Sequence, residues 1–184
     1  MIVSSRRALP PALGHTDDMY LIHERLLHLG DDFDITDDAG QPVFHVDGKV
    51  LSLRNRLVIE DTAGRKVAEV HRRLVALHQT YEITIGDEPA AEVRKHLFAP
   101  FRDAYTIDIP GPDDLEMRGS ILDHEYTIER GGQLMATVSK RWFRIRDTYA
   151  VEIAGGEDHL LILASVLALD LAQHREHERD ERDG

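Results

Sequence analysis

An aromatic residue or leucine, followed two positions later by isoleucine or valine and soon afterwards by glycine, recurs six times along the chain. The segments are Phe33-Asp34-Ile35-Thr36 to Gly40, Leu57-Val58-Ile59-Glu60 to Gly64, Tyr81-Glu82-Ile83-Thr84 to Gly86, Tyr105-Thr106-Ile107-Asp108 to Gly111, Tyr126-Thr127-Ile128-Glu129 to Gly131, and Tyr149-Ala150-Val151-Glu152 to Gly155. Their starts at 33, 57, 81, 105, 126 and 149 are spaced 24, 24, 24, 21 and 23 residues apart. Large apolar and polar residues alternate inside each unit with period two, so each reads as a strand with one buried and one wet face. The glycine-bearing turns Asp38-Ala39-Gly40, Asp61-Thr62-Ala63-Gly64 and Arg130-Gly131-Gly132 are hairpin chemistry, because glycine accepts positive φ.

In most units a second apolar run follows the turn: Val43-Phe44 to Val46, Val67-Ala68 to Val70, Ala90-Ala91 to Val93, and Leu134-Met135 to Val138. Six hairpins predict about twelve antiparallel strands, and a sheet of that size must curl or close to protect its edges. The sixth unit has no second strand, so one strand must come from ahead of the first repeat, where Tyr20 to Glu24 is the natural segment. In its place Gly155-Gly156-Glu157-Asp158 opens a helix that runs apolar from Leu160 to Ala172. Thirteen residues at about 1.5 Å each reach only about 20 Å, too short for a bilayer, so the helix is expected inside the protein. The expected fold is mainly β: a closed antiparallel barrel of about 12 strands wrapped around a buried hydrophobic C-terminal helix at about 158–174. Residues 1–18 read as a disordered leader, 19–172 as the barrel with its helix, and 175–184 as a charged tail; Met19 would serve as an alternative start.

Composition narrows the function classes. The chain of 184 residues has a 42% hydrophobic fraction and no cysteine, which suits a soluble globular domain and excludes disulfides, thiolate metal sites and cysteine nucleophiles. With Lys+Arg 22 against Asp+Glu 34 the formal charge is −12, a poor balance for binding nucleic acid. Only Lys49, Lys66, Lys95 and Lys140 are lysines, so arginine carries most of the positive charge, as in a GC-rich genome or a salt-adapted protein.

The segments Val138-Ser139-Lys140-Arg141-Trp142-Phe143, Arg146-Asp147-Thr148-Tyr149-Ala150-Val151-Glu152-Ile153 and Gly156-Glu157-Asp158 resemble the signature of the LURP-one-related family, part of the tubby C-terminal-like superfamily. Leu29-Gly30-Asp31-Asp32-Phe33-Asp34-Ile35 and Val43-Phe44-His45-Val46-Asp47-Gly48-Lys49 are similar to the family's opening, and the resemblance runs from about Met19 to Ala172. It implies a twelve-stranded barrel threaded by a central helix, the architecture reached above from the repeat. For function it implies lipid chemistry at most: tubby domains bind phosphoinositides, the distantly similar phospholipid scramblases are membrane-associated, and plant members are linked to defence. No catalytic residue carries over, and the scramblases' cysteine-rich and calcium-binding segments have no counterpart here.

Local patterns that suggest chemistry have plainer readings. His23 and His28 are five apart and point about 140° away from each other on a helix, which does not suit a shared metal. Asp32-Phe33-Asp34-Ile35-Thr36 starts like a calcium loop, but Asp37 stands where the turn needs glycine and Val43 where a bidentate glutamate belongs. Asp123-His124-Glu125 cannot form a triad alone, since strand neighbours alternate faces. His174 and His177 lie beside Arg175 and Arg179 and read as a solvated tail, while Trp142 and Phe143 read as core. G-x-S-x-G, G-x-x-x-x-G-K-[ST] and G-x-G-x-x-G are absent, so no enzyme, cofactor or metal site is expected.

Charge sorts by position in the repeat. Hairpin tips carry Asp37, Asp38, Asp61, Asp87, Glu88, Asp113, Asp114, Glu157 and Asp158, and the connections between hairpins carry Lys49, Arg72, Arg73, Arg94, Lys95, Arg118, Lys140 and Arg141, with Arg65, Lys66 and Arg130 as exceptions. The sequence therefore predicts a non-catalytic, cytoplasmic binding module, able to sit peripherally at a membrane. Its expected contact is a basic rim of Lys49, Arg72, Arg73, Lys95, Lys140 and Arg141 that docks anionic phospholipid headgroups or an acidic protein partner. Two alternatives are a structural or protein-interaction module with an exposed apolar patch, and a small enzyme using the His124 region in a pocket shared with a carboxylate from another strand.

Overall fold

The aromatic-x-isoleucine repeat points its two large side chains to one side, and that side is the interior. Phe33, Ile35, Leu57, Ile59, Tyr81, Ile83, Ile107, Tyr126, Ile128, Tyr149 and Val151 are all buried in one core cluster. A computed structural model describes residues 17–23, 32–47, 56–75, 78–95, 105–108, 114–120, 123–140 and 148–183. The strands are β1 (Asp18–His23), β2 (Phe33–Asp37), β3 (Pro42–Asp47), β4 (Arg56–Asp61), β5 (Lys66–Val75), β6 (His78–Ile85), β7 (Glu88–Lys95), β8 (Tyr105–Asp108), β9 (Leu115–Ser120), β10 (Glu125–Arg130), β11 (Gln133–Ser139) and β12 (Thr148–Ile153). One long helix, α1 (His159–Asp183), follows.

Each strand pairs antiparallel with the next, and the sheet closes into a barrel because β1 pairs with both β12 and β2. The closing seam runs from Asp18↔Ile153 to His23↔Thr148, so the strand expected ahead of the first repeat is present and begins at Asp18, two residues before the predicted Tyr20. Closure removes the free edges that a twelve-strand sheet would otherwise expose. The register shifts at Ile35/Thr36, Ile59/Glu60, Ile83/Thr84 and Ile128/Glu129, the same place in four of the six units. Each shift is a bulge whose extra residue, Val43, Val67, Ala90 or Met135, lies on the strand just after the turn, and it adds twist where that strand must bend around the barrel.

The turns explain their own residues. Asp37 and Asp61 each hold a turn closed: the Asp37 Oδ1 accepts the Gln41 N–H at 2.7 Å, and the Asp61 Oδ1 accepts those of Ala63 and Arg65 at 2.9 and 3.0 Å. Gly40 and Gly64 close the same turns with φ of 76° and 73°, a backbone that a side chain would strain.

Asp158 caps α1, its Oδ1 accepting the Leu161 N–H at 3.0 Å. Every residue from Leu161 to Ala172 is buried, so the apolar run fills the barrel as expected. The Ser165 hydroxyl within it is satisfied by donating to the Leu161 carbonyl at 2.7 Å. The helix continues to Asp183, past the predicted end near 174, so the segment read as a charged tail is a helical extension. Among the described residues, no helix is long and apolar enough to cross a membrane. Of the predicted leader at 1–18, residues 1–16 lie outside the described residues, while Asp18 opens β1 instead of ending a leader, because it pairs with Ile153 across the closing seam; the connections carrying Lys49 and Arg141, and Trp142 and Phe143, also lie outside the described residues.

Candidate functional site

Strand alternation gives the barrel two unlike ends. The turns after β2, β4, β6, β8, β10 and β12 share one end, and the connections after β1, β3, β5, β7, β9 and β11 share the other. Among the predicted tips, Asp37, Asp38, Asp61, Asp87, Glu88, Asp114, Glu157 and Asp158 are described and lie at the turn end. Asp61 is the most firmly held of them: the backbone and side chain of Arg65 hydrogen-bond its carboxyl and keep it below the usual carboxylate range.

The predicted basic residues that are described fall towards the connection end, in different settings. Arg72 and Arg73 are neighbours on β5 and so take opposite faces. Arg72 lies across from the buried Tyr81, on the lumen side, and is half-buried. Among the described residues it makes no ion pair. Arg73 is exposed and ion-paired with Glu82, whose hydrogen bond and charge raise the guanidinium pKa. Lys95 ends β7 opposite Tyr105, with its side chain outside the described residues. Lys140 follows β11, and its backbone N–H donates to Glu125 Oε1 at 3.1 Å. Lys49 and Arg141 lie outside the described residues. Of the further basic positions, Arg94 pairs with Glu92, and Arg118 with Glu116 and Glu129.

Just inside the connection end, α1 carries a feature that the sequence reading passed over. Asp170 sits in the apolar run, yet its carboxylate is buried, and it is bound by His124 at 3.0 Å from Nε2 to Oδ1 and by the hydroxyl of Tyr149. The His124 and Tyr149 rings stack with centroids 4.3 Å apart. His124 reaches this place from the turn before β10 by taking φ of 50°, a left-handed backbone that costs about 1 kcal/mol for a residue with a Cβ. Nearby, the Tyr126 hydroxyl is buried without a hydrogen bond to any described residue. Burial, and then the Asp170 charge, push its pKa well above the ordinary tyrosine value. One signal could have exposed the cluster: a lone aspartate in an apolar run demands a buried partner.

This geometry bears on the predicted alternatives. The carboxylate beside His124 comes from the helix and not from another strand, and the two side chains are each 5% exposed. Asp123 and Glu125 turn elsewhere, to Ser120 at 2.6 Å and to Ser139 at 3.0 Å. At the turn end an open groove of about 350 Å³ runs over Asp34, Phe44, His45, Glu60 and Asp61. Its Asp34 pairs with His45 at 2.9 Å, and among the described residues no group of three or more possible ligands could hold a metal ion. Leu134, 49% exposed, is the one exposed large hydrophobic residue among those described.

Comparisons with known proteins agree with this architecture. The chain is 28% identical over 155 residues to the uncharacterized protein YxjI of Bacillus subtilis (strain 168), covering 84% of this chain and 93% of that one. The X-ray structure of an Arabidopsis thaliana protein has a similar fold, with a TM-score of 0.63 and 18% sequence identity, covering 85% of this chain and 91% of the other. The LURP-one-related family profile matches residues 19–170, which span the barrel and the buried part of its helix; the chain belongs to the LURP-one-related family.

Proposed function

We propose that this protein is a non-catalytic binding module that docks on anionic phospholipid headgroups with the connection end of its barrel. The observation that supports the reading most directly is the separation of charge along the barrel axis. Arg72 and Arg73 lie in the last half of β5, Lys95 ends β7, and Lys49 and Lys140 follow β3 and β11 in sequence, while the turn-building carboxylates Asp37 and Asp61 lie at the opposite end. A strand of ten residues such as β5 spans about 30 Å, several Debye lengths at physiological salt, so the acidic end does not cancel attraction at the basic one. Packing of the lumen by α1 also favours contact through an outer surface over chemistry in an internal pocket.

Liposome co-sedimentation tests the proposal with anionic and neutral vesicles at low and high salt. The wild type should sediment with anionic vesicles at low salt and release at high salt, and Lys140→Glu/Arg141→Glu should abolish the binding. A wild type that stays in the supernatant under every condition overturns the reading and leaves an acidic protein partner as the next target for the same surface.

A further inference from the structure

The open groove near the turn end lies along the outer wall of β2, β3 and β4, and its charges are only partly answered. Asp34, His45 and Glu60 stand in one row across the three strands, because His45 is in register with Asp34 on one side and with Glu60 on the other. His45 bonds Asp34 at 2.9 Å and Arg65 holds Asp61 at 2.6 Å. Glu60 is left, half-buried, as the lining carboxylate with no ion pair or hydrogen bond among the described residues. A half-buried carboxylate in an open groove favours a cation beside it. Pro42, exposed at the same place, adds apolar surface, and the space of about 350 Å³ is that of a small ligand pocket.

The chain itself carries a segment of matching chemistry. Residues 1–16 include Arg6 and Arg7 and contain no acidic residue, in a chain whose formal charge is −12. The point from which they leave is fixed at the turn end: the Asp17 carboxylate accepts the Gly155 N–H at 3.3 Å, and the Tyr20 hydroxyl bonds His159 Nδ1 at 2.8 Å. β1 begins there with Asp18, and the strand order β1-β2-β3 puts His45 two strands away, about 10 Å at the usual spacing. Residues 8–17 separate Arg7 from Asp18, and their extended reach of about 35 Å covers that distance with length to spare.

We infer that the groove is the docking site of this chain's own N-terminal segment, with the guanidinium groups of Arg6 and Arg7 meeting Glu60 and Asp34. Tethering favours this occupant over a separate basic peptide. Ion pairs at a part-exposed surface are individually weak, but a short linker holds its ligand near millimolar effective concentration, so weak contacts close the groove in cis. The planar fork of arginine also suits two carboxylates set side by side. The groove lies away from the connection end, so this inference stands or falls separately from membrane docking.

The chain has no cysteine, so a nitroxide on Ala8→Cys labels one place. At low salt the label should take most of the intensity from the amide NMR signals of His45, Glu60 and Thr62 and spare those of Met117 and Thr127, on the opposite side of the barrel. High salt should restore the signals. Arg6→Glu/Arg7→Glu should restore them as well, and so should Glu60→Lys, with unchanged Met117 and Thr127 signals to show that it folds. Unbroadened β3 and β4 amides at low salt overturn the inference, as does broadening that survives in Arg6→Glu/Arg7→Glu. Mixing spin-labelled chain with isotope-enriched chain that lacks the label tests the remaining occupant: broadening of His45 and Glu60 in that mixture gives the groove to a second copy's segment and overturns docking in cis.

Discussion

Asp170 is the residue on which the position of the helix inside the barrel turns. Apolar contacts around it are non-directional, but a buried carboxylate bound by His124 and Tyr149 has one place to be. Asp170→Ala would leave those two polar groups without their shared acceptor, and we expect a loss of about 3 kcal/mol in urea unfolding. Tyr126 should behave in the opposite way. Its buried hydroxyl makes no hydrogen bond to a described residue, so Tyr126→Phe is expected to leave stability unchanged or raise it by about 1 kcal/mol at neutral pH. The pH dependence follows from the raised Tyr126 pKa. The folded state keeps the proton that the unfolded chain releases above about pH 10, so this stabilisation is complete below that pH and is lost as pH rises through the folded-state pKa. Chemical-denaturant titrations from pH 8 upward, about two units below the unfolded value, should show a shallower alkaline loss for Tyr126→Phe than for the wild type.

Among the elements, the hairpin is the unit that repeats, and most of it is legible in the sequence. The aromatic and isoleucine positions face inward, the aspartates hold the first two turns, and the glycines take positive φ. The bulge that recurs after isoleucine was not legible, because a register shift has no residue signature of its own. Gly119 was equally silent. It lies opposite Tyr126 with φ of 134°, and a Cβ there would stand 2.4 Å from the Glu125 carbonyl oxygen and 2.7 Å from the Tyr126 Cα. Backbone cannot swing aside as a side chain can, so Gly119→Ala should cost about 2 kcal/mol or more and loosen the β9–β10 ladder. Amide hydrogen exchange on β9 and β10 would register that loosening, and unchanged protection there would refute the expected clash.

At the scale of the whole molecule, barrel and helix are one cooperative unit. The inward apolar side chains of the strands and the apolar residues of α1 from Leu161 to Ala172 belong to one buried cluster, and neither can shield its apolar surface without the other. Ending the chain at Gly155 should therefore give a product that lacks a sharp thermal transition and binds a hydrophobic dye, while the full chain unfolds in a single transition by every probe. A folded, dye-silent barrel without the helix would show the two to be separable. The outward faces carry Asp34, Glu60, Glu82 and Glu116, so the closed sheet meets water on its outer wall and keeps its apolar face for the helix.

Period, alternation and turn chemistry are local properties, and from them the sequence alone determined six repeat units, the last ending in a helix in place of a second strand, the need for closure, and a helix too apolar to lie outside. The candidate site was only half legible, because side chains separated by many residues meet through register. Register put Arg72 on the lumen side and Arg73 in an ion pair with Glu82, although the two are adjacent in sequence. It also brought Asp170 to His124 across 46 positions. Those outcomes depend on how closing the sheet staggers its strands and how deep the helix sits, quantities that exist only once the barrel has formed.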